Sequence, residues 1–215
     1  MHHDHDHGRH EHGVRHLHDA TDWDQHYATE NEGRHVWSGR PNGTLVREVA
    51  GLAPGRVLDV GCGEGADAVW LATQGWQVTG LDPSRVALDR AAAAAAEAGV
   101  EVSWVCAGLG DDLDGATYDL VSAQYPAIPR ADGAAVAVLL DAVAPGGTLL
   151  YVHHEILSDD PEERPFDPRD YVMPDDVRGA LDDGWVVEVD EVRERPDAPE
   201  DAHHVADVVL RARRR

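Results

Sequence analysis

From residue 56 onward, short apolar runs alternate with stretches in which apolar residues recur at helical spacing, the pattern of strands alternating with helices. Val57-Leu58-Asp59-Val60 reads as a buried strand that stops at Gly61. Residues 66–74 follow as a helix with Val69, Trp70 and Leu71 on its apolar side. Residues 77–81 form a second strand, 85–98 an Ala-rich helix closed by Gly99, and 100–106 a third strand. A fourth strand at 118–124, a helix at 131–143 and a fifth strand at 147–153 complete the series. Ahead of it, 22–30 reads as a short helix carrying Trp23 and Tyr27. A second helix runs from a cap at Asn42 or Thr44 to about Ala50, where Gly51 and Pro54 end it. Behind it lie a Pro/Asp/Glu-rich loop at 158–169, a helix at 174–181, and strands at 185–192 and 205–211 joined by the polar stretch 193–201.

These elements predict an α/β fold: a doubly wound, mostly parallel seven-stranded sheet with helices on both faces, closed by a C-terminal antiparallel hairpin. One domain, residues 21–215, is expected. Residues 1–20 carry eight histidines among Asp, Gly, Arg and Glu with no hydrophobic period, the composition of a disordered tail.

Composition narrows the function. Of 215 residues, 42% are apolar and 27% charged, as in globular proteins, but 41 acidic against 18 basic side chains leave a net charge of -23. Such a surface repels nucleic acid and anionic membranes, so neither is expected as a partner. Cys62 and Cys106 are too few for a disulfide framework, which points to a reducing cytoplasm. The apolar run at 133–140 is far below the ~20 residues of a membrane span, and the N-terminus has no apolar signal region. Oligomeric state leaves no trace in the sequence.

Chemistry concentrates where the first strand enters Gly61-Cys62-Gly63-Glu64-Gly65-Ala66. Residues without side chains at 61, 63 and 65 let the backbone turn sharply and approach a ligand, and the helix that follows offers unpaired N–H groups. Spelled Gly61-x-Gly63-x-x-Ala66, the stretch also satisfies the dinucleotide fingerprint, and it can equally be a structural turn. The second strand ends in Leu81-Asp82-Pro83-Ser84, where a carboxylate can accept both ribose hydroxyls; the plain alternative for Asp82 is a helix cap. An adenosine-type ligand fits both features.

With these residues the chain resembles the class I S-adenosylmethionine-dependent methyltransferases. The matching features are Leu58-Asp59-Val60-Gly61-Cys62-Gly63-Glu64-Gly65, Asp82, Tyr118-Asp119-Leu120-Val121-Ser122 and Pro145-Gly146-Gly147-Thr148-Leu149. Trp23, Tyr27 and Val36-Trp37-Ser38-Gly39-Arg40-Pro41-Asn42 resemble the N-terminal cover of the tellurite-resistance and thiopurine methyltransferase-like branch. The resemblance implies S-adenosylmethionine as cofactor. Asp59 and the Gly61-Cys62-Gly63 backbone would hold its methionine moiety and Asp82-Pro83 its ribose, while Tyr27, Trp37, Arg40 and Gln124 line the region around the sulfonium. Many relatives place an acid after the third strand to bind adenine; Cys106-Ala107-Gly108-Leu109-Gly110 has none, which leaves backbone groups near Gly108 and Leu109, or Asp111 or Asp112.

Methyl transfer is an in-line displacement for which the protein supplies orientation and a dry pocket. A base is needed only when the acceptor, expected to be a small molecule, arrives protonated; a thiolate or metalloid oxyanion needs none. Tyr125 and His153, with His154 beside it, stand at strand ends as acceptor-side candidates, and each could instead be ordinary packing, as could His203-His204. Two other readings stay open. One is an NAD-dependent oxidoreductase. The other is a metal-binding protein in which His2, His3, His5 and His7, interleaved with Asp4 and Asp6, chelate zinc, nickel or copper.

Overall fold

The computed structural model describes residues 19–29, 36, 38–109, 113–130, 134–156, 167–196 and 205–215. Helices α1 (Ala20–Thr29) and α2 (Gly43–Val49) precede the alternating series β1 (Arg56–Val60), α3 (Ala66–Thr73), β2 (Gln77–Asp82), α4 (Arg85–Ala98) and β3 (Ser103–Cys106). Then come β4 (Tyr118–Gln124), α5 (Ala134–Asp141), β5 (Val143–His154), α6 (Pro174–Ala180), β6 (Trp185–Glu194) and β7 (Ala206–Arg214). The sheet order is β3-β2-β1-β4-β5-β7-β6. Strands β1 to β5 pair in parallel, and β7 enters antiparallel between β5 and β6. The expected parallel sheet with a closing hairpin is thus the observed one.

Alternation along each strand splits the core in two. Leu58, Val121, Leu149, Tyr151 and Leu210 face one side, packed by Leu139 of α5 and Val177 of α6. Val57, Leu120, Leu150, Val152 and Val209 face the other, covered by Leu45 and Val49 of α2 and by Ala68 and Leu71 of α3. Cross-strand pairing places Asp59, Gly80 and Ser122 in one row of this second face, and Asp82, Gln124 and Val152 nearer the carboxyl rim. Ligands of open α/β sheets bind at that rim.

Several boundaries differ from expectation for local reasons. The first helix starts at Ala20, because Asp19 Oδ1 accepts from the Thr21 and Asp22 N–H groups and caps it. Strand β3 begins at Ser103, three residues late, since Val100-Glu101-Val102 lies outside the ladder. Helix α5 ends at Asp141, and β5 already begins at Val143 with Pro145-Gly146-Gly147 inside it, where the register against β4 shifts. Gly147 is required in that bulge: a Cβ there would lie 2.9 Å from the carbonyl oxygens of both Ala144 and Tyr118. Asn42 is the cap of α2 by position, yet its side chain turns away to Asp67.

Candidate functional site

The glycine turn after β1 is fastened to β2 by its own amides. The Gly61 and Cys62 N–H groups donate to the Leu81 carbonyl at 2.8 and 3.1 Å, Gly63 N–H to Asp82 Oδ2 at 2.8 Å, and Gly65 N–H to the Cys62 carbonyl at 2.9 Å. Gly65 is left-handed (φ +81°), and a Cβ there would meet Ala91 of α4 at 2.7 Å and the Trp104 ring at 2.9 Å. Trp104 lies across Gly80, its partner in the neighbouring strand, and its ring occupies the space a Gly80 side chain would take. With those four donors committed, the turn still offers a ligand carbonyl and carboxylate oxygen, which suits a cation.

Asp59 and Asp82 are buried beside the turn, as are Glu64 and Asp67. Asp82 is gripped by Gly63 N–H and, at Oδ1, by Ser84 N–H at 2.8 Å, so the strand-tip acid organises the turn and still has acceptor lone pairs for hydroxyls. Burial raises its pKa against the lowering effect of those bonds. Asp59 is only 2% exposed, and its Oδ2 has no hydrogen-bond partner among the described residues. Burial foremost, then the charges of Asp67 and Asp82, hold its carboxyl well above the usual range, opposed by a hydrogen bond with the Ala68 backbone. Burial first, then the charges of Asp59 and Asp82, pushes the Cys62 thiol up, so it stays protonated and is no nucleophile.

Sequence reasoning gave no role to the acids that fasten the N-terminal cover. Glu64 Oε2 accepts from Val36 N–H at 2.9 Å, and its Oε1 accepts from Arg90 Nη1 at 2.7 Å while Arg90 Nη2 donates to the Tyr27 carbonyl at 2.8 Å. Asp67 accepts from both the backbone and side-chain nitrogens of Asn42 at 2.7 Å. Asp24 Oδ1 accepts from Ser84 Oγ and Val86 N–H, joining α1 to the cap of α4. Each bridge spans 25 or more residues, and nothing local in the sequence marks it. Tyr27 is the buried residue of α1 within this cover, and Arg40 is exposed in a tight turn where its N–H donates to Ser38 Oγ.

On the acceptor side the structure separates the candidates. His153 is buried, and its strand parity places it on the α5/α6 side. His154 is on the opposite side, stacked on Tyr125 at 4.1 Å with 20° between the rings. Tyr125 follows β4 with φ +52°, and its hydroxyl donates to Asp207 at 2.9 Å. Burial and Asp207 raise its pKa strongly, so the phenol remains protonated and cannot serve as a base. Asp207 itself is fully buried and also accepts from Thr44 Oγ1 at 2.7 Å. An acid set inside the apolar run Val205 to Leu210 was a usable signal that this carboxylate is internal. Beside Tyr125, Gln124 is buried, donates to Ser122 Oγ at 3.1 Å, and has an Oε1 with no hydrogen-bond partner among the described residues.

Residues 57–147, from β1 into the bulge of β5, match the family of methyltransferase domains. The ubiquinone biosynthesis O-methyltransferase of Idiomarina loihiensis is 31% identical over 115 residues, 51% of this chain and 46% of that protein. A structure solved in work on conversion of a disulfide bond into a thioacetal group during echinomycin biosynthesis superposes with a TM-score of 0.71 and 26% identity, covering 92% of both chains. Residues 57–147 are a methyltransferase domain. TehB from Haemophilus influenzae shares the fold, with a TM-score of 0.65 at 16% identity over 90% of this chain and 67% of that one. The chain spans about half the length, or less, of the curated relatives it matches.

The methyltransferase domain brings Asp59, Gly61, Cys62, Gly63, Asp82 and Pro83 together, with Gly108 and Leu109 beyond β3, where Leu109 packs on the core. Adenine recognition by Asp111 or Asp112, the role of Trp37, and metal binding by His2, His3, His5 and His7 fall on residues outside those described. Among the described residues no group of three or more His, Cys, Asp or Glu side chains could hold a metal ion, and no helix is long and apolar enough to cross a membrane. The oxidoreductase reading loses its footing. The antiparallel β7 departs from the all-parallel dinucleotide order.

Proposed function

We propose that this chain uses S-adenosylmethionine to methylate a small molecule whose acceptor atom is a thiol, hydroxyl or metalloid oxyanion. The observation that carries the reading is Asp59 Oδ2, a buried carboxylate oxygen with no hydrogen-bond partner among the described residues, beside a turn that offers oxygens. A buried charge of this kind is relieved by a cation with N–H donors, and the methionine end of the cofactor brings an ammonium group. Asp59 and the Gly61-Cys62-Gly63 backbone would hold that end, Asp82 the ribose hydroxyls, and the backbone at Gly108 and Leu109 the adenine. The cofactor supplies a methyl group activated by its sulfonium; the protein orients it and keeps water away. The hydroxyl class follows the matched O-methyltransferase, and the metalloid class the TehB-like fold and cover.

The test is a thermal-shift and calorimetric screen of the full chain with S-adenosylmethionine, S-adenosylhomocysteine and NAD, followed by methyl-transfer assays with small thiols, phenols, tellurite and selenite. Stabilisation by the first two and turnover of at least one acceptor class support the reading. Stabilisation by NAD alone refutes it.

A further inference from the structure

We propose that Asp24 is a positioning residue for the cofactor site: through Ser84 it sets Asp82, and so ties the seating of helix α1 to occupation of the site. The proposal rests on the methyl-transfer reading and adds to it an element that responds to the cofactor. Asp24 Oδ1 accepts from Ser84 Oγ at 2.7 Å and from Val86 N–H at 3.1 Å. Ser84 is fully buried, and its own N–H donates to Asp82 Oδ1 at 2.8 Å. One residue thus carries the bond to α1 on its side chain and, on its backbone, the bond to the carboxylate assigned to the ribose.

Little slack separates those two bonds. Ser84 Oγ also accepts from Ala87 N–H at 3.1 Å, as the cap of α4, so its hydroxyl is held from both sides. Pro83, between Asp82 and Ser84, has a φ locked by its ring. A ribose that draws the Asp82 carboxylate into one position therefore holds Ser84, and Ser84 holds Asp24. A second tie runs to the other end of the site. Arg90 Nη1 donates to Glu64 Oε1 on the glycine turn at 2.7 Å, and its Nη2 to the Tyr27 carbonyl of α1 at 2.8 Å. Helix α1 is thus fastened to both segments that grip the proposed nucleoside.

The helix is built to respond. It is ten residues long with Tyr27 as its buried residue, and helices below ~12–15 residues are marginal without tertiary support. Its order therefore depends on these polar ties, and it belongs to the low-stability end of the fold. Coupling through such an element is reciprocal: what a seated α1 adds to cofactor affinity, the bound cofactor returns to α1 as stability.

The test follows amide hydrogen exchange of the full chain with and without S-adenosylhomocysteine, and the Kd for that ligand by calorimetry. In the wild type, saturating ligand should slow exchange in α1 about fivefold or more beyond any slowing of the edge strand β6. Asp24→Ala should weaken binding about fivefold or more. Asp24→Asn keeps an oxygen for both donors and should recover most of that loss. Burial, and after it the charge of Asp24, raises the Asp82 pKa, so the charge lost in the Asn variant favours an ionised Asp82 and leaves the hydrogen bonds as the quantity measured. In a Ser84→Ala background, Asp24→Ala should cost less than about twofold, because the route through the hydroxyl is gone. The proposal is overturned by α1 exchange that the ligand leaves unchanged, by a folded Asp24→Ala whose Kd stays within about twofold of the wild type, by an Asp24→Asn no better than Asp24→Ala, or by an equal loss in both backgrounds. If the variants fail to fold, the wild-type exchange decides. Failure of the wild type to bind S-adenosylhomocysteine would instead strike the methyl-transfer reading.

Discussion

Replacing Asp59 by Asn separates stability from ligand binding. The amide keeps the size of the side chain and an oxygen for the Ala68 hydrogen bond, but removes a negative charge that burial and the neighbouring Asp67 and Asp82 already disfavour. Because the native pKa lies above the unfolded value of 3.8, the native state holds more protons than the unfolded chain just above that value. Stability therefore falls as pH rises from there through the native pKa. The variant lacks this falling segment. At pH 8 its ligand-free stability should match the wild type or exceed it by about 1 kcal/mol, each unit of raised pKa being worth about 1.4 kcal/mol and the buried amide N–H offsetting part of the gain. A charge-assisted contact to the ligand is lost as well, about 1.5–3 kcal/mol, which is about 10- to 150-fold in Kd. Urea denaturation from pH 4 to 8 and calorimetry with S-adenosylhomocysteine read the two quantities. A variant destabilised by more than about 2 kcal/mol, or one with an unchanged Kd, would refute the reasoning.

For the wild type the same ionisation runs the other way for binding: affinity for S-adenosylhomocysteine should rise with pH through the interval in which Asp59 deprotonates, and binding should release protons in calorimetry across buffers of different ionisation enthalpy. Gly80→Ala puts a Cβ 2.5 Å from the Trp104 ring, so it should cost about 1–3 kcal/mol, with the melting temperature falling about 2–4 °C per kcal/mol; Trp104→Phe in the same chain should recover part of the loss. Glu64→Gln weakens the bridge to Arg90 and the Val36 amide and should raise protease sensitivity within α1 (Ala20–Thr29) several-fold, with the sheet's melting temperature shifting by only about 2–4 °C.

What the sequence made legible was what repeats or is local. The βα rhythm from Val57 to His153, the glycines at 61, 63 and 65, Asp82 at a strand tip and the C-terminal hairpin all follow from period and turn chemistry, and all are in the structure. Long-range pairing was not legible. Glu64 and Asp67 sit on a turn and a first helical turn, where acids are usually solvated, and their partners Val36, Arg90 and Asn42 are 25 to 28 residues away. Asp207 reaches Tyr125 across 82 positions and Thr44 across 163. His153 and His154 are adjacent, and only the parity of β5, fixed by its early start and the glycine bulge, decides which layer each of them faces. The bonds that fasten the turn's amides to Leu81 and Asp82 were not legible either, because those acceptors lie on another strand.

The account stands on Asp59 and Asp82 holding opposite ends of one cationic nucleoside. A crystal structure of the full chain grown with S-adenosylhomocysteine tests this most directly. It should show the ligand's amino group within hydrogen-bonding reach of Asp59 Oδ2 and both ribose hydroxyls on Asp82. A ligand bound with its amino group elsewhere, or a turn whose own side chains fill the space between those two carboxylates, would contradict it.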